Sequence, residues 1–488
     1  METSLKQRTI SGSFWSFADN ILGQGITFVV GLALARLLTP NDYGIIGIVI
    51  IFVAISNSIV DSGFSNALIR KNNAKDIDYN TVFITNVIVS VIIFVLIFFT
   101  APYISQFFPK YDASVLTSIL QVTGVIIIIN SFSLIQKTIL TKRIDFKTQT
   151  KISLISSIIS GVVGLTMAFL NFGVWSLSGQ IISRQLLYCL LLWIFNSWRP
   201  KFSFSKSSFS ELFGFGWKLL VSGLIDTIWK EIYSVVIGRY YSGAILGQFT
   251  KAKEFSTIFS SNLTSVVQRV SYPALSEIKD DNFKLKLAYK KVIKITMFVT
   301  FCCMLGIAAT AKSMILVLIG DQWIIAIGFL QILCLQMMLY PLHAINLNML
   351  QIQGRSDLFL YLEIIKKAIA VIPVLLGIFI DIYWMLWGSV VVGLISYYIN
   401  SYYSGKLINY GVKEQIKDIL PSFLLSSFMA VIVYLLSFIN LSPYIMLPLQ
   451  IIAGAVIFIG LAIIFKMEEY IDLKNIVLSL LNKFKHAK

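Results

Sequence analysis

The sequence predicts an all-α, polytopic membrane protein with about fourteen transmembrane helices. Three observations predict it. Hydrophobic residues make up 57% of the chain against 13% charged; apolar stretches of about twenty residues follow one another; and Lys and Arg alternate regularly between connections. A soluble chain spends about a quarter of its residues on charge to cover its core. With 488 residues and a mean hydropathy of +0.81, this chain lacks the polar material for such a shell.

The expected spans are 11–36, 43–69, 79–101, 114–136, 152–170, 174–196, 216–240, 244–272, 292–311, 324–352, 358–380, 382–405, 419–439 and 443–465. Two long uncharged runs divide at turn residues, one at Asn171-Phe172-Gly173 and the other at Asn440-Leu441-Ser442-Pro443. The 244–272 stretch is the most polar, with Lys251, Lys253, Glu254 and Arg269. Counting connections alternately from the N-terminus puts 31 Lys and Arg on one side, 4 on the other and 5 within spans. The positive-inside rule makes the rich side cytoplasmic and leaves both termini there. A miscounted span would reverse the alternation downstream, and none reverses. The same bias accounts for most of the +16 net charge, so the basic balance needs no nucleic-acid partner.

No connection is long enough for a soluble catalytic domain. The basic N-terminus leads into an Asp-containing span without a small-residue cleavage site and is expected to remain as the first helix. Cys189, Cys302, Cys303 and Cys334 lie in apolar runs without metal-ligand spacing and act as small hydrophobes. The tail after Lys466 alternates charge with apolar residues, the pattern of an interfacial amphipathic helix.

An internal repeat is visible. Gly12-Ser13-Phe14-Trp15 and Gly214-Phe215-Gly216-Trp217 are each followed by a helix-closing Arg (Arg36, Arg239) and then by a helix-opening Gly (Gly44, Gly247). An even number of spans separates the copies, so both enter the membrane from the same side, as in parallel repeats. The expected organisation is an N-lobe over 1–205, a C-lobe over 206–412, and two extra spans with an amphipathic tail over 413–488. The two six-helix lobes would face a central cleft.

ALARLLTPNDYGIIG (33–47) and DSGFSNALIRK (61–71) resemble the opening of bacterial Wzx-type polysaccharide flippases, within the multidrug/oligosaccharidyl-lipid/polysaccharide exporter superfamily. Further similar stretches are 237–255, 266–281, 319–335 and 350–357, and the resemblance runs from about residue 5 to 465. It implies a non-enzymatic transporter of the bacterial cytoplasmic (inner) membrane. Such a transporter moves an undecaprenyl-pyrophosphate-linked oligosaccharide to the outer leaflet by alternating access, beside membrane lipid and the polysaccharide polymerase machinery. No cofactor is implied beyond a coupling H+ or Na+. The family offers no invariant catalytic motif to carry over.

Ionisable groups at membrane depth are costly and must face protein, water or ligand. Seven of ten such residues fall in the seventh and eighth spans, which are expected to line a wet cleft. Substrate-binding candidates are Arg184, Lys230, Lys251, Lys253, Asp19 and Asp226. Arg184 sits halfway along its span with no acid nearby and suits a diphosphate, or else snorkels or pairs with an acid from another helix. Lys230 follows Asp226 by four residues, the spacing of a self-neutralised pair. Lys251 and Lys253 either meet substrate or snorkel outward. Asp19, with Asn20 and Gln24, forms a polar stripe suited to sugar hydroxyls, a coupling proton or interhelical bonding. Asp61 reads as a packing or gate contact. Arg36 and Arg239 read as helix-end cations, and His343 has no carboxylate close in sequence.

Two rivals remain: a drug or small-solute exporter of the same fold, and a membrane-embedded glycan polymerase or glycosyltransferase. The second needs a charged outer loop, and the outer connections are short and nearly charge-free.

Overall fold

The computed structural model describes residues 22–71, 73–475 and 478 as a succession of helices, with no strand among the described residues. Asp19 and Asn20 lie outside the described residues. Contacts divide the chain into two units, Met1–Thr250 and Lys251–Lys488.

The first unit contains α1 (Gln24–Leu37), α2 (Pro40–Asp61), α3 (Phe64–Arg70), α4 (Asp76–Phe107), α5 (Ala113–Thr123), α6 (Val125–Lys142), α7 (Phe146–Phe169), α8 (Val174–Phe195) and α9 (Lys206–Tyr240). It also holds the start of α10 (Gly243–Glu277). α8 packs on α6 and α7, α4 on α5 and α6, and α9 on α2 and α3. The second unit contains the rest of α10, then α11 (Asn282–Leu318), α12 (Ile324–Met337), α13 (Tyr340–Ile352), α14 (Ser356–Ile369), α15 (Val371–Phe379), α16 (Ile382–Ile408), α17 (Val412–Leu436) and α18 (Pro443–Ile464). A final helix, α19 (468–475), follows. α11 is its hub and packs on α12, α17 and α18.

Among the described residues, ten helical segments are long and apolar enough to cross a membrane. Each coincides with an expected span. Of the other four, α9 and α10 are helical but too polar for that criterion, α14 and α15 are separate short helices, and the first is described only from residue 22, where it is helical. The expected breaks are present: Asn171 (φ +62°) and Gly173 (φ +55°) separate α7 from α8, and Pro443 opens α18.

The two opening stretches of the family resemblance have structural jobs. Thr39 and Asp42 form a capping box, with Asp42 N donating to Thr39 Oγ1 (3.3 Å) and Thr39 N to Asp42 Oδ2 (2.9 Å), and Pro40 occupies the first turn of α2. Ser62 and Gly63 adopt left-handed backbone (φ +45° and +70°), which breaks the chain between α2 and α3. Asp61 accepts from Ser65 N (3.4 Å) and Oγ across that break, a structural task.

The repeat glycines meet. A Cβ at Gly44 would collide with the carbonyl of Gly243, and one at Gly247 with the carbonyl of Pro40. Each glycine thus faces the carbonyl four residues before its counterpart, the reciprocity a two-fold-related pair requires.

Candidate functional site

The first unit carries a seam of uncharged polar side chains through its helices. Asn130 Nδ2 on α6 donates to Asn57 Oδ1 on α2 (2.8 Å). Ser58, next along α2, shares a hydrogen bond with Thr227 of α9 (3.0 Å). Thr123 and Ser178, both buried, link α5 to α8 (2.7 Å), and Gln185 Nε2 on α8 donates to Ser133 Oγ on α6 (3.3 Å). In hydrocarbon such bonds join helices without the desolvation cost of charge. Arg184 stands between Ser183 and Gln185 on α8, half-buried and engaged by a neighbour. Asp226 and Lys230 are exposed on α9, Asp226 adjoining Thr227, and each has interaction partners. Glu231 accepts from Ser234 Oγ (3.2 Å).

The second unit opens on Lys251, which is only 2% exposed. Its Nζ pairs with Glu254 Oε2 at 2.8 Å, one helical turn on, so the charge is met within α10 and does not snorkel outward. Lys253 is half-buried and engaged, and Arg269 is exposed and engaged. Arg184, Asp226 and Lys230 therefore belong to one unit, and Lys251 and Lys253 to the other.

Arg239 serves the C-terminal end of a helix. Its Nη1 donates to the Phe107 carbonyl (2.7 Å) while the guanidinium covers the Phe107 ring (4.9 Å), so it caps α4. Arg36 lies in the last turn of α1, where a cation suits the helix dipole. His343 Nδ1 lies 3.4 Å from Asn400 Nδ2.

Charge at the other end of the second unit is arranged differently. Lys286 pairs with Glu414 (2.9 Å), Lys290 with Asp418 (2.9 Å), Lys291 with Asp472 (2.7 Å), and Lys294 with Glu468 (2.9 Å) and Glu469 (3.1 Å). The amphipathic tail is thus clamped to α11 by its acids. Its Met467, Tyr470 and Leu473 pack beside Phe298 and Phe458. Beneath these pairs, Asn346 joins Tyr289 (3.0 Å), Ser404 and Gln415 (3.3 Å) in a buried network. In the first unit, Lys71 bridges Asp78 (3.1 Å) and Glu211 (2.9 Å), and the Glu211 hydrogen bond leads in raising the Lys71 ammonium above its ordinary value.

Membrane-depth charges mark neither the uncharged seam nor the clamping of the tail. Asn57, Asn130 and Ser133 inside apolar spans were the available signal for the seam; nothing local marks the acids of 468–472 as partners of α11.

Residues 33–328 match the family model described as "Polysaccharide biosynthesis protein". The chain is 22% identical over 474 residues to the teichuronic acid biosynthesis protein TuaB of Bacillus subtilis, covering 94% of this chain and 96% of that one. It is 22% identical over 381 residues to the lipopolysaccharide biosynthesis protein WzxC of Escherichia coli, covering 77% and 76%. Its fold is similar to that of the lipid II flippase MurJ in an inward closed conformation, with a TM-score of 0.74 at 18% identity over 95% of this chain and 99% of that one. An inward-facing multidrug resistance MATE family transporter of the MOP superfamily shares the fold at a TM-score of 0.59 and 16% identity, over 84% and 98%. With more than half of its length matched by that model, the chain belongs to the polysaccharide biosynthesis protein family.

Proposed function

We propose that this protein is a flippase of the bacterial cytoplasmic membrane. It carries an undecaprenyl-pyrophosphate-linked oligosaccharide from the cytoplasmic to the outer leaflet, by alternating access, for surface polysaccharide assembly. The observation that carries this reading is the family membership together with the MurJ-like fold. The relatives are named for biosynthesis of surface polysaccharides, and the similar fold is that of a protein named a lipid II flippase. The polar seam beside Arg184 supports it too. A diphosphate crossing hydrocarbon needs a cation and fixed dipoles in place of its hydration shell, whereas the polyprenyl chain stays in lipid and needs nothing from the protein.

The test is leaflet accessibility of a labelled lipid-linked oligosaccharide in vesicles with and without the protein. Faster transfer with the protein supports the reading, and equal transfer overturns it. The likeness to a multidrug transporter fold favours one second reading, export of a small solute. Efflux of a cationic dye without oligosaccharide transfer would establish it.

A further inference from the structure

A polar cavity of about 480 Å³ opens in the second unit where α10 ends and α13 turns toward α14. Tyr272, Ser276, Lys279 and Asp280 line one wall, and Gln351, Gln353 and Gly354 the other. Its charges stand out from their surroundings. Asp281 pairs with Lys284 (3.0 Å) and Arg355 with Asp357 (2.8 Å). Lys279 and Asp280 make no ion pair with any described residue, although they are consecutive and of opposite sign. The Gln353 Nε2 amide is buried without a hydrogen-bond partner among the described residues. A buried amide left unmet costs about 1–3 kcal/mol, so this wall is suited to a ligand that brings an acceptor. Gly354 has φ +71° and leaves open space where a side chain would stand, which keeps the mouth clear.

We propose that this cavity docks the glycan head of a lipid-linked oligosaccharide, by neutral hydroxyls rather than by phosphate. The proposal rests on the flippase reading and adds a saccharide contact outside the membrane-buried seam. The chemistry selects the ligand class. A phosphate would meet Lys279 but be repelled by Asp280. An apolar chain would leave the Gln353 amide and both charges unmet. Sugar hydroxyls donate and accept at once, so one ring can accept from Lys279 and Gln353 and donate to Asp280 and Gln351. The exposed Tyr272 ring, 38% accessible, offers the flat face against which the C–H side of a pyranose packs.

The experiment uses the full-length protein in inside-out membrane vesicles, with Ser276→Cys as a reporter for maleimide labelling and Glu277→Cys, exposed next to it and outside the cavity lining, as a second reporter should the first fail to accumulate. Four probes are compared: lipid-linked oligosaccharide extracted from a strain lacking this protein, the glycan released from it by mild acid, undecaprenyl phosphate, and inorganic pyrophosphate. Both glycan-bearing probes should slow labelling. The double change Asp280→Asn with Gln351→Ala should raise the concentration for half-protection about thirtyfold or more, the loss of one charged and one neutral hydrogen bond. Protection by pyrophosphate alone, or none by released glycan, overturns the proposal. A protein that flips the lipid-linked oligosaccharide yet shows no protection loses only this site. One that is protected but does not flip keeps the site and loses the flippase reading.

Discussion

The two units hold polar groups among apolar helices with different emphases, although the first also has the Lys71 ion pairs and the second the neutral Asn346 network. In the first, neutral side chains on α2, α5, α6, α8 and α9 join in pairs at depth, as Asn130 with Asn57 and Thr123 with Ser178. In the second, α11 presents Lys286, Lys290, Lys291 and Lys294 in succession, and acids from α17 and α19 meet each of them. The difference follows from solvent. A neutral pair loses little on leaving water, whereas an ion pair must recover the hydration of two charges and is cheapest where water still reaches it. Lys251 departs from this pattern, an ion pair inside the second unit whose lysine is almost wholly buried.

That departure supplies the largest expected effect. Lys251→Met leaves Glu254, one-third exposed, without its partner and should cost about 3 kcal/mol, read as a loss of thermal stability in detergent. Lys251→Met with Glu254→Gln should recover most of it. If the double variant is stable and still exports, Lys251 is a structural cation; if it is stable and inactive, Lys251 touches substrate.

Arg184→Ala tests whether the neutral seam serves a cation that meets substrate. Export should fall about a hundredfold, the loss of a charged hydrogen bond made during transfer, while the amount of protein in the membrane stays near normal. Arg184→Lys should retain part of the activity, because a point charge still meets phosphate without the bidentate fork. Normal export by Arg184→Ala would remove it from the site, and disappearance of the protein from the membrane would make it a packing residue.

A contrast between neighbours comes next. Lys294→Met strands Glu469, which is 4% exposed, and should cost about 2 kcal/mol. Lys291→Ala breaks only the half-exposed pair with Asp472 and should cost under about 1 kcal/mol. Protease cleavage within the tail should rise for the first and stay near wild type for the second. Equal cleavage in both would show that the apolar contacts of Tyr470 and Leu473, rather than Glu469, hold α19. In the first unit, Asn130→Ala should cost about 1 kcal/mol in the same thermal assay, with no dependence on salt. A salt-dependent cost would mean that charge, not a neutral pair, holds the seam.

The smallest effect concerns pH. The Lys294 hydrogen bond leads in holding the Glu468 carboxyl below its ordinary value of 4.5. A lowered carboxylate pKa contributes stability that is present above the ordinary value and is lost as pH falls through the folded-state value. Tail protection should therefore weaken as pH falls below about 4.5 and be unchanged from there to neutrality. Glu468→Gln should abolish the Glu468 share of that response, and an undiminished response would assign it to another acid.

What the sequence determined by itself is what depends on composition and short-range order. Partition into lipid follows from the sum of side-chain transfer energies, so helical class and the positions of ten spans were legible without coordinates. The repeat was legible as well, because Gly44 and Gly247 must be small for two backbones to touch, and that demand leaves the same residue in both copies. The capping box at Thr39 and the left-handed turn at Gly63 are local too, and they explain why those stretches carry a recognisable signature. Only the tertiary structure decided which polar groups meet. It paired Lys251 with Glu254 instead of leaving it to snorkel, gathered Asn57, Asn130 and Ser133 into a seam, and set the acids of the tail on α11. Apart from Lys251 with Glu254, three residues apart on one helix, such partnerships join residues 52 to 181 positions apart, as in Ser133 with Gln185 and Lys291 with Asp472. No periodicity or propensity records them, because their energy depends on distance and local solvent rather than on order along the chain.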